Sequence, residues 1–297
     1  MKDRIETVDF AEWQPLVRRE SAVDFVNALE DGKIVYLPQL RFALFDSELR
    51  FLDPATLGDK AKSLAFDYLS GTLKHARADH ADIASMMRRY AGAAHGLVCS
   101  LLPRYASALE WGRTSFRPVG IEGRTTSLTK DDTLLHVDAF PTSPVGNRRI
   151  LRVFSNVNPQ NVPRHWRIGE PFADVARRFF PGSRKPWHTR SWIMQAIGVT
   201  RGYRTAYDQA MLDIHDSMKR ANAYQQSVPR LDFDFPTGST WIVFTDAVSH
   251  AALSGQHVFE QTFYLPVSAM ADESKAPLRI LESLAGRALV PRQKSAA

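Results

Sequence analysis

Apolar residues recur at helical spacing over 83–109, "IASMMRRYAGAAHGLVCSLLPRYASAL", and Pro103 predicts a kink or break in that helix. Upstream, "SAVDFVNALEDGKIVYLPQL" predicts a helix over about 21–30, stopped near Gly32, then a β-branched strand over about 34–38 closed by Pro38. Residues 1–110 are therefore expected to be mainly helical. After Trp111 the pattern changes to short extended runs broken by Gly and Pro: "TSFRPVGI", "TLLHVDAF", "RRILRVFSNVN", "STWIVFTDAV" and "VFEQTFYLPV". A helical insertion over about 170–227 interrupts them, with "EPFADVARRFF" ended by Pro181-Gly182 and then "YRTAYDQAMLDIHDSMKRANAYQQS". The tail, 267–297, repeats a helical pattern through Leu278, Leu281 and Leu284. Strands that leave and return around a helical excursion predict an α+β fold, with a double-stranded β-helix (jelly-roll) core over 111–266 packed by helices. No repeat or long Pro/Gly/Ser linker divides residues 1–297, so a single domain is expected.

The composition, 44% hydrophobic and 24% charged, suits a globular chain with a real core. "MKDRIETVDF" has no apolar signal region, and no apolar run approaches the roughly 18–20 residues of a spanning helix, so a cytoplasmic location is expected. Cys99 is the only cysteine, which excludes an intrachain disulfide and a thiolate-rich metal cluster. The net charge of +6 is unevenly spread. Ten Lys/Arg lie between Arg148 and Arg190 against Glu170 and Asp174, a local +8 that points to an anionic partner or to a solvated basic face. Aromatic residues are not interleaved with these cations in a stacking pattern, which argues against nucleic acid.

Within "LHVDAF" a polar pair interrupts an apolar run: His136 and Asp138 at i and i+2 project to the same side of an extended chain, with Val137 opposite. An imidazole nitrogen and a carboxylate oxygen suit Fe(II), Mn or Zn, and a third ligand is then required. His250, which follows the apolar run of "STWIVFTDAVSHAAL", is the best candidate among nine histidines. Two histidines and one carboxylate on one face of an ion leave three adjacent positions open for other ligands. The plainer alternative is a core histidine beside a turn-forming aspartate ahead of Pro141, and the spacing alone leaves both open.

The segment "FRPVGIEGRTTSLTKDDTLLHVDAFPTSPVGNRRILRVFSNVNPQNVPRHWRIGEPF", 116–172, with "WIVFTDAVSHAALSGQHVFEQTFYLP", 241–266, closely resembles the 3-deoxy-D-manno-oct-2-ulosonic acid (Kdo) 3-hydroxylases. These are Fe(II)/2-oxoglutarate-dependent dioxygenases of Gram-negative bacteria that act on the inner core of lipopolysaccharide. The resemblance implies a double-stranded β-helix, iron bound by His136, Asp138 and His250, 2-oxoglutarate and dioxygen as cosubstrates, and hydroxylation at C3 of Kdo in Kdo-lipid A. No catalytic residue beyond the metal ligands is implied. A related oxygenase for another anionic substrate, or a non-catalytic binder of anionic lipid or nucleic acid, are the alternatives.

Many members of the wider superfamily anchor 2-oxoglutarate with an Arg or Lys about ten residues after the second histidine. Position 260 here is Glu, and no Lys or Arg lies between His250 and Lys275. In "RRILRVFSNVN" alternation puts Arg148, Ile150, Arg152, Phe154 and Asn156 on one face. An arginine within an apolar strand calls for an anion, and its fork matches a carboxylate. Arg152 is the first choice of anchor, Arg117 the second, with Asn156 as a hydrogen-bonding neighbour. Arg148, Arg149, Arg164, His165 and Arg167 are expected to line an anionic mouth for Kdo-lipid A or a related glycolipid. Trp166 is a candidate for stacking on a sugar, and Phe179, Phe180 and Trp187 for peripheral contact at the cytoplasmic face of the inner membrane.

Overall fold

The computed structural model describes residues 3–15, 24–59, 61–121, 126–180 and 204–291. In chain order its main elements are β1 (Ile5–Thr7), α1 (Phe25–Glu30), β2 (Ile34–Leu37), β3 (Leu64–Asp67), β4 (Leu73–Lys74), α2 (His80–Leu101), β5 (Glu110–Arg117) and β6 (Arg148–Asn156). There follow β7 (Arg164–Pro171), α3 (Phe172–Phe179), α4 (Ala206–Arg220), α5 (Asn222–Ser227), β8 (Leu231–Phe235), β9 (Thr240–Phe244), β10 (Val248–Ser254), β11 (Val258–Pro266) and α6 (Pro277–Ala285). The architecture is a mixed α/β fold. A large sheet runs β1-β2-β9-β6-β11-β5-β3-β4, and a small one runs β10-β7-β8.

Sequence pattern explains most boundaries. In α2 the buried Ile83, Met86, Met87, Tyr90, Ala94, Leu97, Val98 and Leu101 form the apolar stripe predicted, and the helix stops at Leu101, just ahead of Pro103. Thr205 caps α4 in a reciprocal box with Asp208. Asp208 also accepts the backbone N–H groups of Val145 and Gly146 at 2.7 and 2.9 Å, which fastens the inserted helix to the turn before β6.

Two expectations need adjustment. The N-terminal part is not helical alone, because β1 to β4 add to both edges of the large sheet. Of these, β2 matches the strand expected over about 34–38, whereas β1, β3 and β4 have two to four residues, too few for a period-2 signal to register. "TLLHVDAF" is not a regular strand either, since its contact with β10 is a single bridge, His136 to His250. On its other edge the Gln225 side chain takes the place of a strand, accepting from Leu135 N at 2.8 Å and donating to Leu135 O at 3.0 Å. Trp187, and the stop at Pro181-Gly182, lie outside the described residues.

The two sheets face each other across an aromatic core. Trp241 stacks on Phe235 and Phe154, with centroids 4.0 and 5.2 Å apart, and Trp166 packs edge-on against all three. A larger cluster joins β6 and β11 to α2, α4 and α6 through residues such as Leu151, Phe263, Leu97, Met218 and Leu281.

Candidate metal centre

His136 and His250 exchange backbone hydrogen bonds, N to O at 3.0 and 2.9 Å, and so stand directly opposite each other. Directly opposed residues of an antiparallel pair send their side chains to the same face. Asp138, two residues on, donates its N–H to Thr245 O at 2.9 Å, which ties it to the turn between β9 and β10. All three side chains are buried, and one donor atom from each lies within 4.8 Å of the others.

The outer imidazole nitrogens are occupied in the same way. Nδ1 of His136 is 2.8 Å from Leu134 O, and Nδ1 of His250 is 2.8 Å from Val248 O. A ring nitrogen facing a carbonyl carries the proton, so each Nε2 is left with a lone pair aimed inward. Burial lowers the proton affinity of both rings, which keeps them neutral near pH 7. Trp166 lies against His250, ring centroids 5.0 Å apart at 21°, and steadies its plane.

Burial is the largest single influence on Asp138 and opposes its ionisation, but the guanidinium of Arg152, with Nη1 3.1 Å from Oδ2, acts together with His250, His136 and Thr245 to hold the carboxyl well below the usual carboxylate range. Oδ2 is buried without a hydrogen-bond partner. Two neutral nitrogens and an incompletely satisfied carboxylate are a donor set that fits one borderline divalent ion.

Arg152 projects from β6 toward this cluster. Its Nη1 is also 3.5 Å from Glu260, and its Nε is buried with no partner. Arg117 is more fully engaged, 2.7 Å from Glu260 and 3.7 Å from Asp132. Glu260 therefore sits between the two arginines. Asn156 does not serve as a neighbour of Arg152: its amide donates to Val162 O and Phe235 O and accepts from Asn158 N, bracing the connection from β6 to β7.

Among the described residues the basic run does not form an open anionic mouth. Arg149 is 0% exposed and makes a bidentate pair with Asp246 under Phe244. Arg164 is buried, and its guanidinium donates to the Gly255 carbonyl at 2.8 Å. His165 and Arg167 pair with Asp234 and Asp232, their register partners on β8, and Arg148 pairs with Glu110. The compensating acids come from segments far along the chain, which a local charge count does not see. Trp166 is 2% exposed and so does not present a surface for a sugar. Phe179 packs edge-on against Tyr224 and adds to the core rather than reaching outward.

Two site neighbours escaped the sequence reading. His215 and Lys219, one turn apart on α4, face the cluster: the His215 ring is 5.4 Å from that of His136, and Lys219 is 1% exposed. A lysine beside Met218 within the buried stripe of a helix was the available signal.

Buried two-histidine, one-carboxylate donor sets between facing sheets are the hallmark of mononuclear non-haem oxygenases. The family model for 3-deoxy-D-manno-oct-2-ulosonic acid (Kdo) hydroxylase matches residues 12–288, and the chain belongs to that family. Among solved structures it is similar to the Kdo hydroxylase KdoO, a non-haem Fe(II) α-ketoglutarate-dependent dioxygenase, in complex with α-ketoglutarate and Fe(III): 42% identity over 99% of both chains, TM-score 0.93. KdoO with cobalt(II) gives 43% identity over 99% of this chain and 100% of that one, TM-score 0.95. Its apo form gives 43% over 99% of both, TM-score 0.94. No curated protein sequence matches the chain.

Proposed function

We propose that this chain is an Fe(II)/2-oxoglutarate-dependent dioxygenase that hydroxylates C3 of a Kdo sugar in Kdo-lipid A, with His136, Asp138 and His250 as the iron ligands. The observation that carries the reading is the convergence of three buried donors whose other atoms are already tied down. The strand order supports a double-stranded β-helix: β9-β6-β11-β5 forms one wall, and the 136 segment with β10-β7-β8 the other. A shared core that includes α2, α4 and α6 supports one domain across the chain.

When bound, ferrous iron with 2-oxoglutarate supplies the oxidative decarboxylation that activates dioxygen and inserts one oxygen atom into a carbon–hydrogen bond. The protein's part is orientation and exclusion of water. His136 and His250 offer Nε2 lone pairs in fixed planes, and Asp138 brings the negative charge. Arg152, whose Nε lacks a partner, is the anchor for the distal carboxylate of 2-oxoglutarate, with Arg117 the second choice. Complexes of KdoO with α-ketoglutarate and with succinate correspond, carried over to this chain, to cosubstrate and product.

Internal pairing of Arg148, Arg149, His165 and Arg167 takes away the support that these residues lent to a non-catalytic anion binder. Among the described residues no helix is long and apolar enough to cross a membrane. The enzyme is read as cytoplasmic and meeting its lipid-anchored substrate peripherally. The test is anaerobic titration with Fe(II) and 2-oxoglutarate, watched for the weak visible charge-transfer band of the chelate, followed by succinate release on adding Kdo-lipid A and oxygen. No band, or succinate release indifferent to Kdo-lipid A, sinks the proposal.

A further inference from the structure

We infer that Lys219, presented by α4 beside His136, binds the carboxylate of the Kdo substrate and so sets which carbon–hydrogen bond faces the metal. This rests on the function proposed above and extends it to one residue.

An ammonium group has three donors. That of Lys219 has one hydrogen-bond partner, the Thr129 carbonyl at 3.2 Å, although the residue is 1% exposed. The acids that act on its charge are Asp132, Asp138, Asp131 and Asp216, yet Lys219 forms no ion pair with any of them. A buried cation without a bonded carboxylate is costly to maintain, and an incoming anion relieves that cost. Among the described residues, the buried Arg149 and the largely buried Arg152 each already have one: Arg149 has Asp246, and Arg152 has Asp138 and Glu260.

Position separates this group from the cosubstrate side. Arg152 reaches the donor set from β6, through Asp138 at 3.1 Å, whereas Lys219 comes from α4, the helix that sets the His215 ring against His136. The two cations therefore approach the donor set from different directions. His215, one turn before Lys219 on the same helix and 5.4 Å from the His136 ring, adds a hydrogen-bonding edge on that side. An ulosonic acid brings one carboxylate and several hydroxyls, the complement of an ammonium beside an imidazole.

The experiment compares the iron-loaded wild type with Lys219→Met and Lys219→Arg, using Kdo-lipid A and an analogue whose Kdo carboxyl is reduced to an alcohol. In Lys219→Met the KM for Kdo-lipid A is expected to rise roughly 10- to 100-fold, with Lys219→Arg recovering part of it. The midpoint of the anaerobic 2-oxoglutarate titration, read from the visible band, stays within about twofold, as expected of a residue that does not touch the cosubstrate. The reduced analogue is handled equally poorly by wild type and Lys219→Met. An unchanged KM in Lys219→Met overturns the inference, as does a loss of 2-oxoglutarate affinity equal to the rise in KM, which assigns Lys219 to the cosubstrate. If Lys219→Met does not fold, the wild type alone decides, because an unchanged KM for the reduced analogue overturns carboxylate recognition. A wild type that releases no succinate with Kdo-lipid A fails at the earlier step and removes both readings.

Discussion

Gln225 holds Leu135 by both backbone groups, accepting from its N–H at 2.8 Å and donating to its carbonyl at 3.0 Å. One residue further on, His136 is bonded to His250 by a single bridge. A lone bridge leaves the other edge of the segment without a ladder, and the amide supplies what a neighbouring strand would.

Gln225→Ala should therefore loosen the metal site more than the fold. Two buried backbone groups lose their partners, a cost of about 1–3 kcal/mol. The ligand segment loses the constraint on its outer edge while its bonds to His250 and Thr245 remain, and metal affinity should fall by about 10- to 100-fold, the range typical of removing a group that orients a ligand. Cobalt(II) titration followed by visible absorption, set beside urea unfolding of the metal-free protein, separates the two effects. Equal metal affinity in the variant would show that the bonds to His250 and Thr245 are sufficient.

Arg152 and Arg117 should not respond alike to substitution. Glu260 Oε2 lies 2.7 Å from Arg117, whereas the Nε of Arg152 is buried and unpartnered. Arg152→Gln is expected to raise the KM for 2-oxoglutarate by at least about tenfold, the loss of a charge-assisted pair. Arg117→Gln should act more weakly and through Glu260, which then turns wholly to Arg152. Steady-state kinetics at saturating oxygen ranks the two variants, and the reverse order would move the anchor to Arg117.

The buried Arg149–Asp246 pair yields a stability prediction. Its Nε and Nη2 lie 2.7 and 3.2 Å from the two carboxylate oxygens. Burial pushes the proton affinity of Asp246 up, and Arg149 opposes that rise. Arg149→Met strands the carboxylate and should cost about 3–5 kcal/mol, whereas Arg149→Met with Asp246→Leu should recover much of the loss. A double-mutant cycle by urea denaturation measures the coupling. Additive losses would mean that the pair contributes nothing beyond its packing.

What the sequence discloses depends on how far apart the partners lie. His136 and Asp138 are adjacent in the period-2 sense, and His250 ends an apolar run, so local pattern alone nominates a donor set that the fold brings together. Arg149 looked like a surface cation because its partner is 97 residues away, and His165 and Arg167 because "LDFDF" pairs with them only once β7 and β8 are in register. Gln225 replacing a strand at Leu135 has no pattern to announce it. The strands β3 and β4 were invisible for another reason: with four and two residues they exist through pairing rather than through any periodicity of their own.

His257 ties stability to pH. It holds a left-handed backbone, φ 58°, with Nε2 3.0 Å from Leu52 O and Nδ1 buried without a partner. Burial lowers its pKa, and the weaker opposing influence is the bond to Leu52. The folded state thus binds fewer protons than the unfolded chain, whose histidines titrate near about 6.5. Stability is full above that value and declines as pH falls through it, levelling off only below the folded-state pKa. The slope from this residue is at most about 1.4 kcal/mol per pH unit. His257→Asn keeps a side chain that tolerates the left-handed region and removes the titration, so the fall in unfolding free energy between pH 7.5 and 5.5 should be shallower than in the wild type. Urea titrations of both proteins at the two pH values give the comparison. Parallel slopes would assign the acid sensitivity to other histidines, among them the half-buried His215 and His95, shifted in the same direction by burial.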